Sequence, residues 1–201
     1  VLSRMRTLVQ RTLAENPSIN ESADSRLTAA AESYAYWFQR EFGVVHDPSD
    51  LHGENNHFRY RSRPYHLVQI VKSNPADFVL DLAMIAVACK TTKTPLILNV
   101  DVAQADHDIP LLDWVKAFAK ACNAKVTTDS TKTLAGKLRS MKGGTMRVIG
   151  EFDRTVFAPA EIGNVPILES DVLANGRIEL LGYLKEQSIS ETIHRYGNIF
   201  E

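Results

Sequence analysis

Apolar residues along this chain fall into short continuous runs separated by longer segments with helical spacing. The runs YHLVQIV (65–71) and PLILNV (95–100) are nearly continuous in apolar residues, which is typical of strands covered on both faces. Between them, apolar residues recur at helical spacing at Phe78, Leu82, Ile85 and Cys89. Asn74 can cap the first turn of this segment, and Pro75 is tolerated there. The stretch therefore predicts one βαβ unit with two parallel strands.

The same alternation of strand and helix patterns continues to about residue 168. Helices are predicted over 109–122 and 130–141, and strands over 124–127, 145–149 and 165–168. Ser130 can cap the second of these helices, and Gly143 and Gly144 open the strand at 145. The expected fold class is α/β, with a Rossmann-like, doubly wound and mostly parallel sheet of about five strands.

Two amphipathic segments precede this α/β pattern. Residues 2–14 and 22–42 each place apolar side chains at helical spacing, and Pro17 restricts the residue before it, so a break is expected between them. They predict a helical hairpin that lies on the α/β core or on a neighbouring domain. We therefore expect four parts: a helical segment at 1–43, a linker with an edge strand at 44–64, an α/β domain at 65–173, and a C-terminal helix with an extended tail at 174–201.

The linker is polar and rich in turn residues. Three histidines lie in it beside acidic residues: His46, His52 and His57. Neither HxH nor HxxxH spacing occurs, so we favour side chains that bond to turns over a metal site, which is the alternative. The end of the linker alternates Arg59, Arg61 and Arg63 with aromatic residues and predicts an edge strand. Phosphate binding by these arginines is the alternative interpretation.

Charge and composition narrow the classes of partner. Lys and Arg total 23 against 24 Asp and Glu, so the formal net charge of −1 favours neither nucleic acid nor an anionic membrane. The two cysteines, Cys89 and Cys122, lack the spacing of a metal site and are expected to be reduced core thiols. Because no membrane-spanning run or signal peptide occurs, we expect a cytoplasmic protein, and we expect the chain to be part of a larger one.

A search for catalytic and nucleotide-binding motifs assigns no residue. GxGxxG, the P-loop and the GxSxG elbow are all missing from the sequence. Gly143 and Gly144 precede a predicted strand, which is the wrong side for holding a phosphate at a helix N-terminus. Asp106 and Asp108 flank a predicted helix start and are interpreted as caps. We therefore predict no catalytic, cofactor-binding or metal-ligating residue in this chain.

The C-terminal stretch predicts a helix over 178–185 and an extended strand over 188–193. Its sequence, GRIELLGYLKEQSISETIHRYGN (176–198), resembles the terminal motif of bifunctional proline utilization A enzymes and of the related L-glutamate γ-semialdehyde (pyrroline-5-carboxylate) dehydrogenases. The linker sequence HDPSDLHGENNHFRYR (46–61) resembles the entry to the C-terminal domain of the same proteins. The resemblance covers roughly residues 34–198.

This resemblance implies a noncatalytic C-terminal domain with the Rossmann-like fold of the NAD-binding domain of aldehyde dehydrogenases. Such a domain packs on the catalytic aldehyde dehydrogenase domain of its parent enzyme and helps close the cavity through which the intermediate passes. NAD is then a cofactor of the parent enzyme, which we expect to be fused to a proline dehydrogenase, and this chain has none. The alternative is a small nucleotide-binding regulator or enzyme built on the same sheet.

Three departures from an active aldehyde dehydrogenase support the noncatalytic interpretation. The segment 86–100 resembles the family's AALAxGNxVVLKP stretch, but it ends Leu98-Asn99-Val100-Asp101, without the lysine that would contact the cofactor ribose. Glu169 is only a loose match to the ELGG glutamate because no glycine pair follows it. The Gly-Gln-x-Cys context of a catalytic cysteine is missing, and covalent aldehyde oxidation requires that nucleophile.

The tail is where we expect function to lie. Residues 188–193 alternate side chains as an extended strand does, and the cation, aromatic ring and glycine that follow are suited to anchoring on another surface. The predicted interface residues are Gln187, Ser188, Ile189, Ser190, Ile193, His194, Arg195, Tyr196, Gly197 and Asn198. We expect them to dock by strand addition on the aldehyde dehydrogenase domain of the parent chain, or on a second copy of this chain.

Overall fold

The computed structural model describes residues 1–15, 17–71, 74–101, 109–151, 155, 158 and 163–193. The α-helices are α1 (Leu2–Thr12), α2 (Pro17–Trp37), α3 (Val79–Thr92), α4 (Ile109–Cys122), α5 (Thr131–Leu138) and α6 (Gly176–Glu179), and a π-helical turn over Phe38–Phe42 follows α2. The strands are β1 (Glu54–Ser62), β2 (His66–Ile70), β3 (Leu96–Val100), β4 (Lys125–Thr127), β5 (Thr145–Ile149), β6 (Ile167–Leu168) and β7 (Leu184–Thr192). None of the described helices is both long enough and apolar enough to cross a membrane.

Five strands form the central sheet in the order β4-β3-β2-β5-β6, and all of its pairings are parallel. The chain moves outward from β2 through β3 to β4 and then returns to the other side of β2. This reversal between β2 and β5 is the switch point of a doubly wound sheet. The predicted fold class, an α/β protein with a five-stranded parallel sheet, is confirmed.

Helices cover both faces of this sheet. One face, which includes Val68 and Leu98, packs with buried residues of α1, α2, α3 and α4 into the larger apolar core. The opposite face, which includes Leu67 and Met146, packs against α5. Every residue of β2 is buried, as a central parallel strand requires. The N-terminal helices therefore lie on the α/β core, one of the two positions expected for them.

Several local predictions are confirmed at their residues. Asn74 caps the turn Pro75–Asp77 by accepting from the Ala76 N–H, and the Ser130 hydroxyl accepts from the Thr133 N–H at the start of α5. Gly144 precedes β5, where a Cβ atom would lie 2.2 Å from the Tyr65 ring. Only glycine therefore fits between this strand and that ring.

Three predicted boundaries are wrong. The helix expected from Ser22 begins at Pro17, because proline is compatible with a first helical turn. The helix expected to reach residue 141 ends at Leu138. The helix expected over 178–185 is α6 followed by a 3₁₀ turn over Leu180–Tyr183, and the chain is already extended at Leu184.

The edge strand predicted near Arg59 does not join the parallel sheet. Instead, β1 pairs with β7 as a separate antiparallel two-stranded ribbon, with Glu54 opposite Thr192 and Ser62 opposite Leu184. Part of the predicted linker is thus strand, because β1 begins at Glu54. The division into four parts otherwise stays a prediction.

Candidate functional site

The two edges of the ribbon differ in how they are covered. Phe58 of β1 exchanges both backbone hydrogen bonds with His46, each at 2.8 Å. Next to it, the Asn56 N–H donates to the Asp47 carboxylate. The outer edge of β1 is therefore covered at Asn56 and Phe58 by the preceding turn of the chain.

The outer edge of β7 is open. Because Phe58 directs its backbone groups away from β7, alternate residues of β1 must make the bonds to β7. The bonds that flank the ribbon agree with this alternation, since Ile193 donates to Gly53 and Arg63 donates to Tyr183, both at 3.0 Å. The remaining backbone groups of β7 belong to the buried Leu184 and to four exposed residues, Glu186, Ser188, Ser190 and Thr192, and none of these four has a backbone partner among the described residues. We call these four residues the open edge.

The described members of the predicted interface all lie on or beside this ribbon. Ser188 and Ser190 belong to the open edge, and the Ser190 hydroxyl donates to Asn56 at 2.6 Å. Ile189 is 40% exposed and Ile193 is 59% exposed. One edge of β7 already pairs with β1, so the predicted strand addition on another domain or a second copy is left with the other edge and stays a prediction. The predicted residues His194, Arg195, Tyr196, Gly197 and Asn198 lie outside the described residues.

The linker arginines do not converge on one point. Arg59 donates to the Gln187 side chain across the ribbon at 2.8 Å, and Arg61 lies on the same ribbon face beside Lys185. Arg63 instead donates to the Gly143 carbonyl. Phosphate binding by all three arginines together is therefore not supported by their placement.

A buried polar cluster anchors the segment that leads into β7. Glu179 accepts hydrogen bonds from the Arg147 guanidinium and the Tyr183 hydroxyl, each at 2.8 Å, and from the Leu173 N–H at 3.0 Å. Arg147 and Glu179 have 5% and 2% of their side chains exposed. The cluster joins α6 and the turn before β7 to β5, and removing one member would leave a buried charge without its partner.

His66 and Thr145 extend this cluster on the same face of the sheet. The Thr145 hydroxyl donates to the Gly182 carbonyl at 2.7 Å, so the 2.8 Å contact with His66 is a bond from the protonated Nδ1. Burial, with the nearby charge of Arg147, lowers the pKa of His66 to about 3. Neutral His66 thus packs against the Tyr183 ring, 4.4 Å between centroids.

Sequence reasoning missed this anchor. Its only local signal is a charged residue flanked by apolar ones, Arg147 in MRVI and Glu179 in IELL. Neither run identifies the partner, because 32 residues separate the two side chains.

At the carboxyl edge of the sheet, where doubly wound folds bind dinucleotides, the described residues form an acidic crevice. A crevice of about 380 Å³ beside β5 and β6 is lined by five carboxylates: Asp77, Asp81, Glu151, Glu169 and Asp171. Arg147 reaches this crevice, but it is bonded to Glu179 and to the Ser170 carbonyl. These carboxylates oppose binding of a pyrophosphate at this crevice.

The other residues considered at this edge have structural partners. Asn99 bridges Gln69, Thr127 and the Asp129 backbone, and Asp101 accepts from Thr131 at the start of α5. The predicted caps Asp106 and Asp108 lie outside the described residues.

Neither thiol has the character of an activated nucleophile. Burial raises the pKa of Cys122 to about 11 and raises that of Cys89 well above its ordinary value. The linker histidines do not share one environment. His46 Nε2 contacts the Glu41 carbonyl, whereas His57 is exposed on β1. Within the described part of the chain, no three His, Cys, Asp or Glu residues could hold a metal ion.

The chain matches no protein-family profile, and no curated protein is significantly similar to it in sequence. Solved structures are similar in fold. Proline utilization A from Corynebacterium freiburgense aligns with 87% of this chain and 14% of its own, at 24% identity and a TM-score of 0.57. A mutant of proline utilization A from Bradyrhizobium japonicum aligns with 81% of this chain and 17% of its own, at 16% identity and a TM-score of 0.55.

Lactaldehyde dehydrogenase from Escherichia coli aligns with 83% of this chain and 37% of its own, at 14% identity and a TM-score of 0.52. The chain therefore spans well under half the length of each of these structures. At these identities the similarity shows the fold: the chain is built like one part of proline utilization A proteins and aldehyde dehydrogenases.

Proposed function

We propose that this chain is a noncatalytic module of an NAD-dependent L-glutamate γ-semialdehyde dehydrogenase in proline catabolism. It packs on the catalytic aldehyde dehydrogenase domain and helps close the cavity through which the intermediate passes. The observation that carries the proposal is the ribbon, which has one covered edge and one open edge and is held on a buried ion pair. NAD and the catalytic cysteine then belong to the rest of the enzyme, and a cytoplasmic location remains a prediction.

Strand addition is the docking mode that this geometry favours. An open edge presents N–H and C=O groups at regular spacing, and an extended segment of a partner can pair with them. The charged and aromatic residues predicted at 194–198 follow directly, where they can add side-chain contacts. The position of the ribbon is set by the anchor, so a partner meets an edge that is already in place.

The alternative, a nucleotide-binding regulator or enzyme on this sheet, has less support. The crevice at the carboxyl edge is acidic, and the pKa of each thiol is raised rather than lowered. The acidic crevice opposes phosphate binding, and the raised pKa values of the thiols oppose thiolate chemistry.

The experiment is a proline substitution at the open edge of the longer enzyme. Ser188→Pro removes an N–H that β1 does not use, so it blocks an added strand without breaking the ribbon. We expect lower dehydrogenase activity or lower coupled proline-to-glutamate flux. Ser188→Ala keeps that N–H and is the matched control, with activity unchanged.

Two results would overturn the proposal. One is a Ser188→Pro enzyme with full activity, full coupling and its normal oligomeric state. The other is an intact mass of the native protein that leaves no room for a dehydrogenase domain.

A further inference from the structure

An exposed apolar surface lies at the root of the ribbon. Tyr36 near the end of α2 is 51% exposed, and Ile178 and Leu181, on and after α6, are 56% and 46% exposed. The last two residues are three apart in a helical segment and therefore share one side of it. Exposed apolar patches of this kind mark interaction surfaces on soluble proteins.

Two arginines stack on the aromatic rings of this surface. The Arg177 guanidinium carbon lies 5.1 Å from the Trp37 ring centroid, and that of Arg40 lies 5.8 Å from the Tyr36 centroid. The two rings meet edge to face at 5.3 Å. Stacking uses the flat face of a guanidinium group and leaves the donors at its rim available for a carboxylate.

The charge of these arginines is only partly matched within the chain. Arg177 lies 3.7 Å from the Glu41 carboxylate and keeps 63% of its side chain exposed. Within the described residues, no carboxylate lies within ion-pair distance of Arg40. A partner that offers carboxylates around an apolar centre would complement this surface.

This surface is continuous with the ribbon. Tyr60 of β1 lies opposite Glu186 of β7, and its ring meets Phe42 at 4.8 Å, next in sequence to Glu41, which lies 3.7 Å from Arg177. The segment that carries Arg177 and its apolar neighbours leads directly into β7. A protein that pairs with the open edge is therefore adjacent to the stacked arginines as well.

We propose that Tyr36, Trp37, Arg40, Arg177, Ile178 and Leu181 form a second docking site, the aromatic–arginine patch. Its occupant is the same catalytic domain that pairs with β7, through an apolar surface flanked by carboxylates, so this inference rests on the proposed function. The patch combines Trp, Tyr and Arg, the residue types that dominate binding energy in protein interfaces. The catalytic domain would then bind at two sites, through main-chain pairing along β7 and through side-chain contacts at the root of the ribbon.

Hydroxyl-radical footprinting tests this assignment in the longer enzyme and in the 201-residue chain. We expect Ile178 and Leu181 to be oxidised readily in the chain and protected in the enzyme. Ile19 is 55% exposed at the start of α2, close to the value for Ile178, and is the matched control that reacts equally in both.

The outcomes separate this inference from the proposed function. Protection of Ile189 on the ribbon without protection of Ile178 and Leu181 overturns the patch and leaves the proposed function standing. Reactivity of all three in the longer enzyme overturns both. Protection of Ile19 equal to that of Ile178 also overturns the patch, because the shielding would then not be local.

A charged substitution supplies the second test in the longer enzyme. Ile178→Asp should restore rapid oxidation of Leu181 and Tyr36, whereas Ile19→Asp should leave both residues protected. Both side chains are more than half exposed, so neither change disturbs the core, and an unchanged unfolding midpoint verifies this. If Leu181 and Tyr36 stay protected in the Ile178→Asp enzyme, the patch is not the contact.

Discussion

Leu82 and Ile85 lie on the buried side of α3, and neither has any exposed surface. Burial at both positions confirms their prediction as core residues of the first crossover helix. Truncating either side chain to Ala should lower the free energy of unfolding by about 2–5 kcal/mol, because it removes buried apolar surface and leaves a cavity. Urea unfolding measures this change, with Lys90→Ala on the exposed side of α3 as control. A loss no larger than that of the control would contradict the packing of α3.

His66 should make the fold sensitive to acid. Its pKa is lowered from 6.5 to about 3 in the folded chain, so between these values the unfolded chain binds a proton that the folded chain does not. Stability from this residue is therefore fully present above about pH 6.5 and falls by about 1.4 kcal/mol per pH unit as the pH drops toward 3.

Urea unfolding between pH 7 and pH 4 tests this dependence. The His66→Gln variant cannot titrate, so its free energy of unfolding should fall less steeply with acid than that of the wild-type chain. Equal slopes for the two proteins would show that His66 is not held neutral.

The residues whose roles could be predicted from sequence are those that bond to groups nearby in the chain. Asn74 and Ser130 bond to backbone groups within three residues, so sequence neighbours were enough to identify them as caps. The pair of Arg147 and Glu179 depends on a fold that brings distant segments together. The hydrophobic periodicity of neither segment indicates that Arg147 and Glu179 form an ion pair.

At the scale of elements, the ribbon makes a prediction about alternate residues of β7. Pro at Ser188 should leave the ribbon intact, because that N–H points away from β1. Pro at Ile189 should break it, because that N–H faces β1 and pairs opposite His57. Amide hydrogen exchange at Arg59 and Arg61 in the 201-residue chain reports the ribbon, with protection retained in Ser188→Pro and lost in Ile189→Pro.

The reverse result, with protection lost in Ser188→Pro and kept in Ile189→Pro, would show that the open edge is formed by the other set of alternate residues. Equal loss in both variants would show that the ribbon tolerates no proline, and the activity test at Ser188 would then lose its structural basis.

The elements of the parallel sheet could be predicted because each one carries its own pattern. Continuous apolar runs and helical spacing can be recognised in the sequence alone, as in β2, α3 and β3. The ribbon could not be predicted as a pair, since its strands are separated by most of the chain. The boundary at Leu184 failed for a related reason: Leu180, Leu181 and Leu184 have helical spacing, and only pairing with β1 makes the last of them extended.

At the scale of the whole molecule, we expect no dehydrogenase activity in this chain. The motivation is the missing cysteine context and the raised pKa of Cys89 and Cys122. NADH formation with L-glutamate γ-semialdehyde is the measurement, and a rate equal to the buffer control is expected. A substrate-dependent rate that persists after mutation of both cysteines would contradict the noncatalytic assignment.

The most direct test of that assignment is calorimetric titration of the 201-residue chain with NAD. A noncatalytic docking module with an acidic crevice at the carboxyl edge of its sheet should give only the heat of dilution. The regulator or enzyme that is the alternative should give a saturable heat with one site per chain. Such a saturable heat, weakened by substitution of residues that line the crevice, would contradict the assignment of this chain as a noncatalytic docking module.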